Sequence, residues 1–300
     1  MASLATGAGY ATTPDDPAAA PAGSIDPEPV YAIPTTLDRT GRILAPVEVN
    51  GYGPLRFILD TGANRSAVSA ATAARLGLVS DPQASVNVHG ITGSAVLPTV
   101  RLTNFRAGDL LLQDVKVPVL PAAVFGGADG ILGIDSLQQA RIEVDFKSGR
   151  VTIRRSPTRR ASEGYLVVPA KVRHGGLLIV NARVGRVQVK AILDTGAERS
   201  LGNEALRRAL IARTQLGRDK SATTVIGATP QLADAESFLA PSVSMGGATL
   251  ENLVVTFADL HIFRHWGLLD RPALIVGMDL LGTLEEFVVD YPRREFYLKP

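Results

Sequence analysis

The chain has 300 residues and a mass of 31.6 kDa, enough for two modest domains or one large core. With 46% hydrophobic and 20% charged residues it has the balance of an ordinary globular protein, and no apolar run approaches the ~18 residues of a membrane helix. A net charge of only +2, scattered along the chain, leaves no footprint for nucleic acid, and the lack of cysteine excludes disulfides, a cysteine nucleophile and thiolate metal sites.

The chain opens on MASLATGAGYATTPDDPAAAPAGS, dominated by Ala, Gly, Pro and Thr with no periodic apolar face. Residues 1–30 are therefore expected to form a disordered tail. There is no basic n-region and no apolar h-region, so the segment is not an intact signal peptide. It reads equally as the start of a mature exported protein and as a natural tail; a periplasmic or secreted location is the working expectation.

From residue 31 on, short apolar runs alternate with Gly, Pro and Asn: ILAPVEVNG, VKVPVL, RIEVDF, GRVTI. This is the pattern of an all-β protein with tight turns. Helical spacing is confined to short segments, SAATAARLGL at 69–78 and GNEALRRALI at 202–211. Each follows shortly after one of two near-identical stretches, FILDTGANRS at 57–66 and AILDTGAERS at 191–200. The order repeats beyond them. Both halves run strand, turn, strand, Gly turn, DTGA and short helix. VNVHGITG or TTVIGATP comes next, then GILGIDSL or LIVGMDLL, and each half closes on a strand pair, RIEVDFKSGRVTI or EFVVDYPRREFYL. Asp60 lies 30 residues before Gly90 and Asp194 lies 33 before Gly227. Asp60 lies 75 residues before Asp135 and Asp194 lies 85 before Asp279. These spacings point to a duplication: two homologous β-barrel-like lobes at 31–157 and 158–300. They join near RRSPTRRASEG, whose arginines read as an exposed, solubilising linker.

An aspartate after three apolar residues sits at the end of a buried strand, and Thr-Gly then turns the chain. A buried carboxylate is costly unless it is paired or hydrogen-bonded. Two of them in equivalent places of a duplicated fold suggest that a pseudo-twofold axis brings Asp60 and Asp194 together. Such a pair shares one proton and can polarise a water: the ionised member takes the water's proton while the protonated member binds a carbonyl oxygen.

ILDTGA with a downstream ILGID or IVGMD resembles the retropepsin-like branch of the aspartic proteases, and the resemblance covers about residues 31–300. It implies an all-β, bilobal aspartic-protease fold with few short helices. It also implies hydrolysis of peptide bonds in a peptide or protein substrate, no cofactor or metal, inhibition by statine-type mimics, and a monomer, because both half-sites lie in one chain. Residue by residue, Asp60 and Asp194 become the catalytic pair. Thr61 and Thr195 would interlock across the lobe interface. Gly62 and Gly196 would bring backbone N–H groups to the carboxylates, beside Ala63 and Ala197. The segments 131–133 and 275–277 would cross beneath the DTGA loops. Asp135 and Asp279 would pair with Arg65 or Arg199, or cap the helix that follows. Asn64 and Glu198, where the two copies differ, and Gly90 and Gly227, in hairpins folding over the cleft, would meet substrate.

Two departures from pepsins matter. Pepsins place Ser or Thr after DTG, and its hydroxyl bonds a catalytic carboxylate; Ala63 and Ala197 cannot, which predicts raised carboxyl pKa values and a less acidic optimum than pepsin's. Neither hairpin carries the tyrosine of pepsin flaps; VHGITG resembles the retroviral flap, while VIGATP reads as a shorter and stiffer cover, so one working flap is expected. His89 reads as an exposed hairpin residue. Two other classes compete. An actin-like ATPase also duplicates an apolar-Asp-x-Gly strand, but it needs long alternating helices. A peptide-binding module that has lost catalysis would normally have lost one of the two motifs. The four histidines lack metal-ligand spacing apart from the pair His261 and His265. That pair lies in the largest asymmetry between the halves, FADLHIFRHWGLLDRPA at 257–273, read as an insertion that packs its aromatics inward.

Overall fold

The computed structural model describes residues 32–34, 36–38, 41–156, 164–213, 216 and 220–300. The expected tail, the expected lobe boundary and most of the arginine-rich joint lie outside the described residues.

Asn50 and Gly51 show how local sequence sets the first hairpin. They take φ of 51° and 81° between the strands Ile43–Val49 and Tyr52–Leu59. An Asn-Gly pair adopts this left-handed turn readily, and its twist matches that of the flanking strands. The second strand of the hairpin ends in Phe57, Ile58 and Leu59, all buried, because both its faces are covered. Its partner beyond the hairpin is Gly130–Leu132, paired in parallel with Leu59 opposite Leu132.

In the first half the strands follow in space as Ile43–Val49, Tyr52–Leu59, Gly130–Leu132, Ala67–Ser69, Leu110–Leu120, Ser94–Ala107 and Ser80–His89. Ile43–Val49 also pairs with Ser94–Ala107, which curls the sheet toward a barrel. The second half repeats that spatial order with Leu177–Val184, Val187–Leu193, Ala273–Val276, Leu201–Gly202, Val254–Phe257, Leu232–Leu239 and Lys220–Ile226. The fold is all-β, bilobal and internally duplicated.

The closing hairpins of the two halves join the lobes. Ala140–Asp145 pairs antiparallel with Glu286–Asp290, Arg141 opposite Asp290 and Asp145 opposite Glu286. Outside them lie Arg150–Arg155 with Ala32–Pro34 on one side, and Glu295–Lys299 with Leu166–Arg173 on the other. The repeat in the sequence thus becomes one continuous sheet with the twofold at its centre. Buried Arg141 and Asp290 face each other there at 3.7 Å, with Arg141 also donating to Glu143 at 2.7 Å.

The helices are short. Ala70–Arg75 starts at Ser69, whose hydroxyl accepts the N–H of Thr72; Glu204–Ala212 starts at Asn203, whose side chain accepts that of Leu206. Both are side-chain N-caps. Among the described residues no helix is long and apolar enough to cross a membrane.

Candidate active site

Each DTG turn begins where its strand ends. The Asp60 N–H donates to Leu132 O at 3.0 Å and the Asp194 N–H to Val276 O at 3.0 Å, so the parallel strand beneath holds each aspartate in place. The turn then folds its own N–H groups onto the carboxylate. Asp60 Oδ1 accepts from Gly62 at 2.8 Å; Asp194 Oδ1 accepts from Gly196 at 2.9 Å and from Ala197 at 3.0 Å.

The two turns interlock. The Thr61 N–H donates to Thr195 Oγ1 and the Thr195 N–H to Thr61 Oγ1, both at 3.1 Å. The Thr61 hydroxyl donates to Leu193 O at 2.8 Å and that of Thr195 to Leu59 O at 2.6 Å. Both threonines are buried, so each bond is made where water cannot replace it. The glycines allow the approach. A Cβ on Gly62 would collide with the Asp194 carboxyl group, and one on Gly196 with that of Asp60. Each carboxyl is therefore close enough to the other to influence its protonation.

Burial raises both carboxyls above the ordinary aspartate range, against the lowering effect of the turn N–H groups. Asp194 stands well above it, because the charge of Asp60 adds to its burial. The backbone N–H groups of Ala63 and Ala197 are among those that lower the carboxyl of their own turn. Tyr291 lies buried near the pair. Burial and the charges of both aspartates push its phenol up, and its hydroxyl finds no hydrogen-bond partner among the described residues.

Behind each turn a second network repeats. Asp135 Oδ1 accepts the N–H of Ser66 at 2.8 Å and its hydroxyl at 2.7 Å; Asp279 accepts the N–H of Ser200 at 2.9 Å and its hydroxyl at 2.7 Å. Each serine oxygen also accepts from the next strand, from the Gly133 N–H at 3.0 Å and the Gly277 N–H at 3.1 Å. The side-chain donors are thus serines; Arg65 and Arg199 are exposed, and Arg199 acts on Asp279 through its charge. Of the two expected roles, the one toward the following helix is seen at Asp135, whose Oδ1 also accepts the N–H of Ser136 at 2.9 Å.

The roof consists of two hairpins. In the first, Ser80–His89 and Ser94–Ala107 meet at a turn closed by the Gly90 N–H on Gly93 O at 2.8 Å. In the second, Lys220–Ile226 and Leu232–Leu239 pair with Ile226 opposite Leu232. The tips touch. A Cβ on Gly90 would lie 3.0 Å from Thr229, one on Gly227 3.0 Å from Thr92, and the hydroxyls of Thr92 and Thr229 lie 3.4 Å apart. Leu97 of the first hairpin, Ala228 of the second tip and Ala63 of the first DTGA turn all pack on one small apolar cluster that includes Ile58 and Ile131. The roof therefore rests on the floor, and both tips take part.

The remaining predicted residues are placed unequally. Asn64 Nδ2 donates to His174 O at 2.6 Å and so ties the first turn to the loop between Leu166–Arg173 and Leu177–Val184. Glu198, its counterpart, is exposed, and its carbonyl accepts the Asp279 N–H at 3.1 Å. In the insertion Leu260, Ile262, Phe263, Trp266 and Leu268 are buried around the helix His261–His265. Asn203 anchors its end by donating to Leu268 O and Arg271 O at 2.6 and 2.7 Å.

No match was found among curated proteins. A family model described as aspartyl protease matches residues 45–136 and 180–280. The two matched segments are the two halves that supply the interlocked DTG turns, and the chain belongs to the aspartyl protease family in its two-lobe, retropepsin-like form.

Proposed function

We propose that the protein is an aspartic endopeptidase whose single site is the pair Asp60 and Asp194. The observation that carries this reading is the placement of each carboxyl against the other turn's glycine, across the twofold. The pair shares one proton; in the attacking step Asp194 carries it and Asp60 is ionised. A water lodged between them gives a proton to Asp60 as its oxygen attacks the scissile carbonyl carbon, while Asp194 transfers its proton to the carbonyl oxygen. The result is a tetrahedral gem-diol. Asp60 then gives its proton to the amide nitrogen as the C–N bond breaks, and Asp194 takes a proton from a gem-diol hydroxyl, which returns the pair to one shared proton. No covalent intermediate forms.

With both carboxyls raised by burial, both limbs of the pH–rate profile move upward, so the optimum is less acidic than pepsin's. Substrate peptide lies between the two hairpins and the floor. Asn64 and Glu198 flank the two ends of that track differently, one tied to His174 and the other free to face solvent, which would give a bound peptide a preferred direction. One chain holds both half-sites, so a monomer suffices. The test is a peptide-library digest across pH, run beside Asp60→Asn. Cleavage by the parent and none by the variant is expected; equal behaviour of the two proteins removes the enzyme reading.

A further inference from the structure

All four histidines of the chain converge at one edge of the roof, although they are spread over 177 residues of sequence. His89 is the last residue of the first hairpin's outgoing strand, next to Gly90 at the tip. His261 and His265 begin and end the insertion helix of the other lobe. His89 Nδ1 lies 3.1 Å from His261 Nε2, and the His89 ring stacks on that of His265 with centroids 3.9 Å apart and planes 16° from parallel. The His261 ring lies parallel to that of His89 at 5.4 Å. The backbone seals the same contact: the Ile262 N–H donates to Ile91 O in the tip at 3.2 Å. His174 stacks on Trp266, directly after the helix, at 5.9 Å.

We propose that this histidine cluster is a proton-operated latch, closed when the rings are neutral and released when they take up protons. The 3.1 Å contact needs one imidazole nitrogen to donate and the other to accept. Two imidazolium rings can only donate, so full protonation removes the bond and sets like charges face to face across the stack. The surroundings supply little compensation. On the hairpin the neighbour is the neutral amide of Asn87, 3.4 Å from His89 Nε2. On the helix it is Arg264, a cation, paired at 3.2 Å with Asp259, the acid that precedes the helix. From the facing loop come His174 and Arg173, whose charge together with burial holds the His174 imidazole below its ordinary value. Burial, and then the charges of His89, His261 and His174, hold His265 below its ordinary value as well. The sign follows. A base whose pKa is lower in the latched form favours that form above its ordinary value and loses the preference as pH falls through the lowered one.

Beside the backbone bond from Ile262 to Ile91 and the packing of the two tips on each other, the tips are tied by one long hydroxyl contact between Thr92 and Thr229 and one bond from Gln231 Nε2 to Ser94 O at 3.2 Å. None of these groups titrates, so the histidines are the part of the contact that pH changes. The latch concerns the roof and holds whether or not the floor is catalytic. Among the described residues no three histidine or carboxylate groups are placed to hold a metal ion, which favours protons as the controlling species.

The chain has no cysteine, so two introduced thiols can be labelled uniquely. Val96→Cys on the hairpin and Asp270→Cys beyond the helix are both exposed sites. With nitroxides on both, in an Asp60→Asn background that prevents self-cleavage, pulsed EPR reads the distance at about pH 8 and about pH 5, on either side of the ordinary histidine value. One short population is expected at the higher pH and a second, longer one at the lower. With His89→Gln and His265→Phe added, which cannot take up the protons, the two distributions should coincide. Identical distributions in the parent, or opening that persists in the substituted protein, overturns the latch. Release of the hairpin by EDTA at pH 8 also overturns it, because the rings would then be metal ligands.

Discussion

At the floor of the cleft the two halves agree closely. Thr61 and Thr195 exchange the same N–H and hydroxyl bonds, Gly62 and Gly196 press on the opposite carboxyl, and Ser66 and Ser200 bind Asp135 and Asp279 in the same way. At the roof the agreement stops. One hairpin ends in Gly-Ile-Thr-Gly and the other in Gly-Ala-Thr-Pro, and only the second half has the helix His261–His265, which holds the first hairpin's tip. The difference separates two demands. Two carboxyls that share a proton must sit in one geometry, so the elements around them keep the twofold. A cover over an asymmetric peptide has no such constraint and can gain a latch on one side.

The symmetry of the floor can be broken in order of effect. Asp60→Asn and Asp194→Asn are each expected to reduce peptide hydrolysis by about 10³-fold, the scale of losing a positioned acid or base, and to do so equally. A variant retaining substantial turnover would show that the halves do not act as one site. Thr61→Val and Thr195→Val should each lower stability by about 1–3 kcal/mol in urea unfolding, because each leaves a buried N–H and a buried carbonyl without a partner. Thr61→Ser and Thr195→Ser, which keep the hydroxyl, should stay near the parent. A large difference between the two valine variants would mean that one lobe alone supports the interlock.

Charge sharpens the comparison further. Asp194 is raised well above its unfolded value, so its buried charge costs stability at neutral pH, and that cost is relieved as pH falls through its folded value toward about 4. Asp194→Asn should therefore melt higher than the parent at neutral pH, with the gain shrinking on acidification. A gain that grows with acid has the wrong sign. The smallest effect belongs to Tyr291, whose buried hydroxyl has no hydrogen-bond partner among the described residues. Tyr291→Phe should leave stability unchanged or raise it by about 1 kcal/mol. A clear loss in thermal unfolding would reveal a bond from that hydroxyl into the site.

The floor was readable in advance because its parts are short, local and written twice. ILDTGA fixes a buried strand, a carboxylate and a turn within six residues, and ILG and IVG recur at matching distances. What escaped is long-range. The strands Ala140–Asp145 and Glu286–Asp290 read as the ends of separate lobes, and nothing local says that they pair with each other. Asp135 is expected to pair with an arginine or to cap the helix that follows; Arg65 lies exposed in the bend before the strand, and Asp135 takes the N–H and hydroxyl of Ser66 and the N–H of Ser136 in the helix's first turn. His89 is an exposed hairpin residue, as expected; what escaped is its ring contacts, whose partners lie 172 and 176 positions away in a helix too short for periodicity to reveal.

The central claim is that two distant copies of DTGA form one proton-sharing pair. A ¹³C NMR titration of the Asp60 and Asp194 side-chain carboxyls tests it without any knowledge of the substrate. Both should titrate above the ordinary aspartate range, Asp194 further than Asp60, and Asp60→Asn should draw Asp194 back down by removing the neighbouring charge. Two carboxyls that titrate independently, with Asp194 unmoved by the loss of Asp60, would contradict the account.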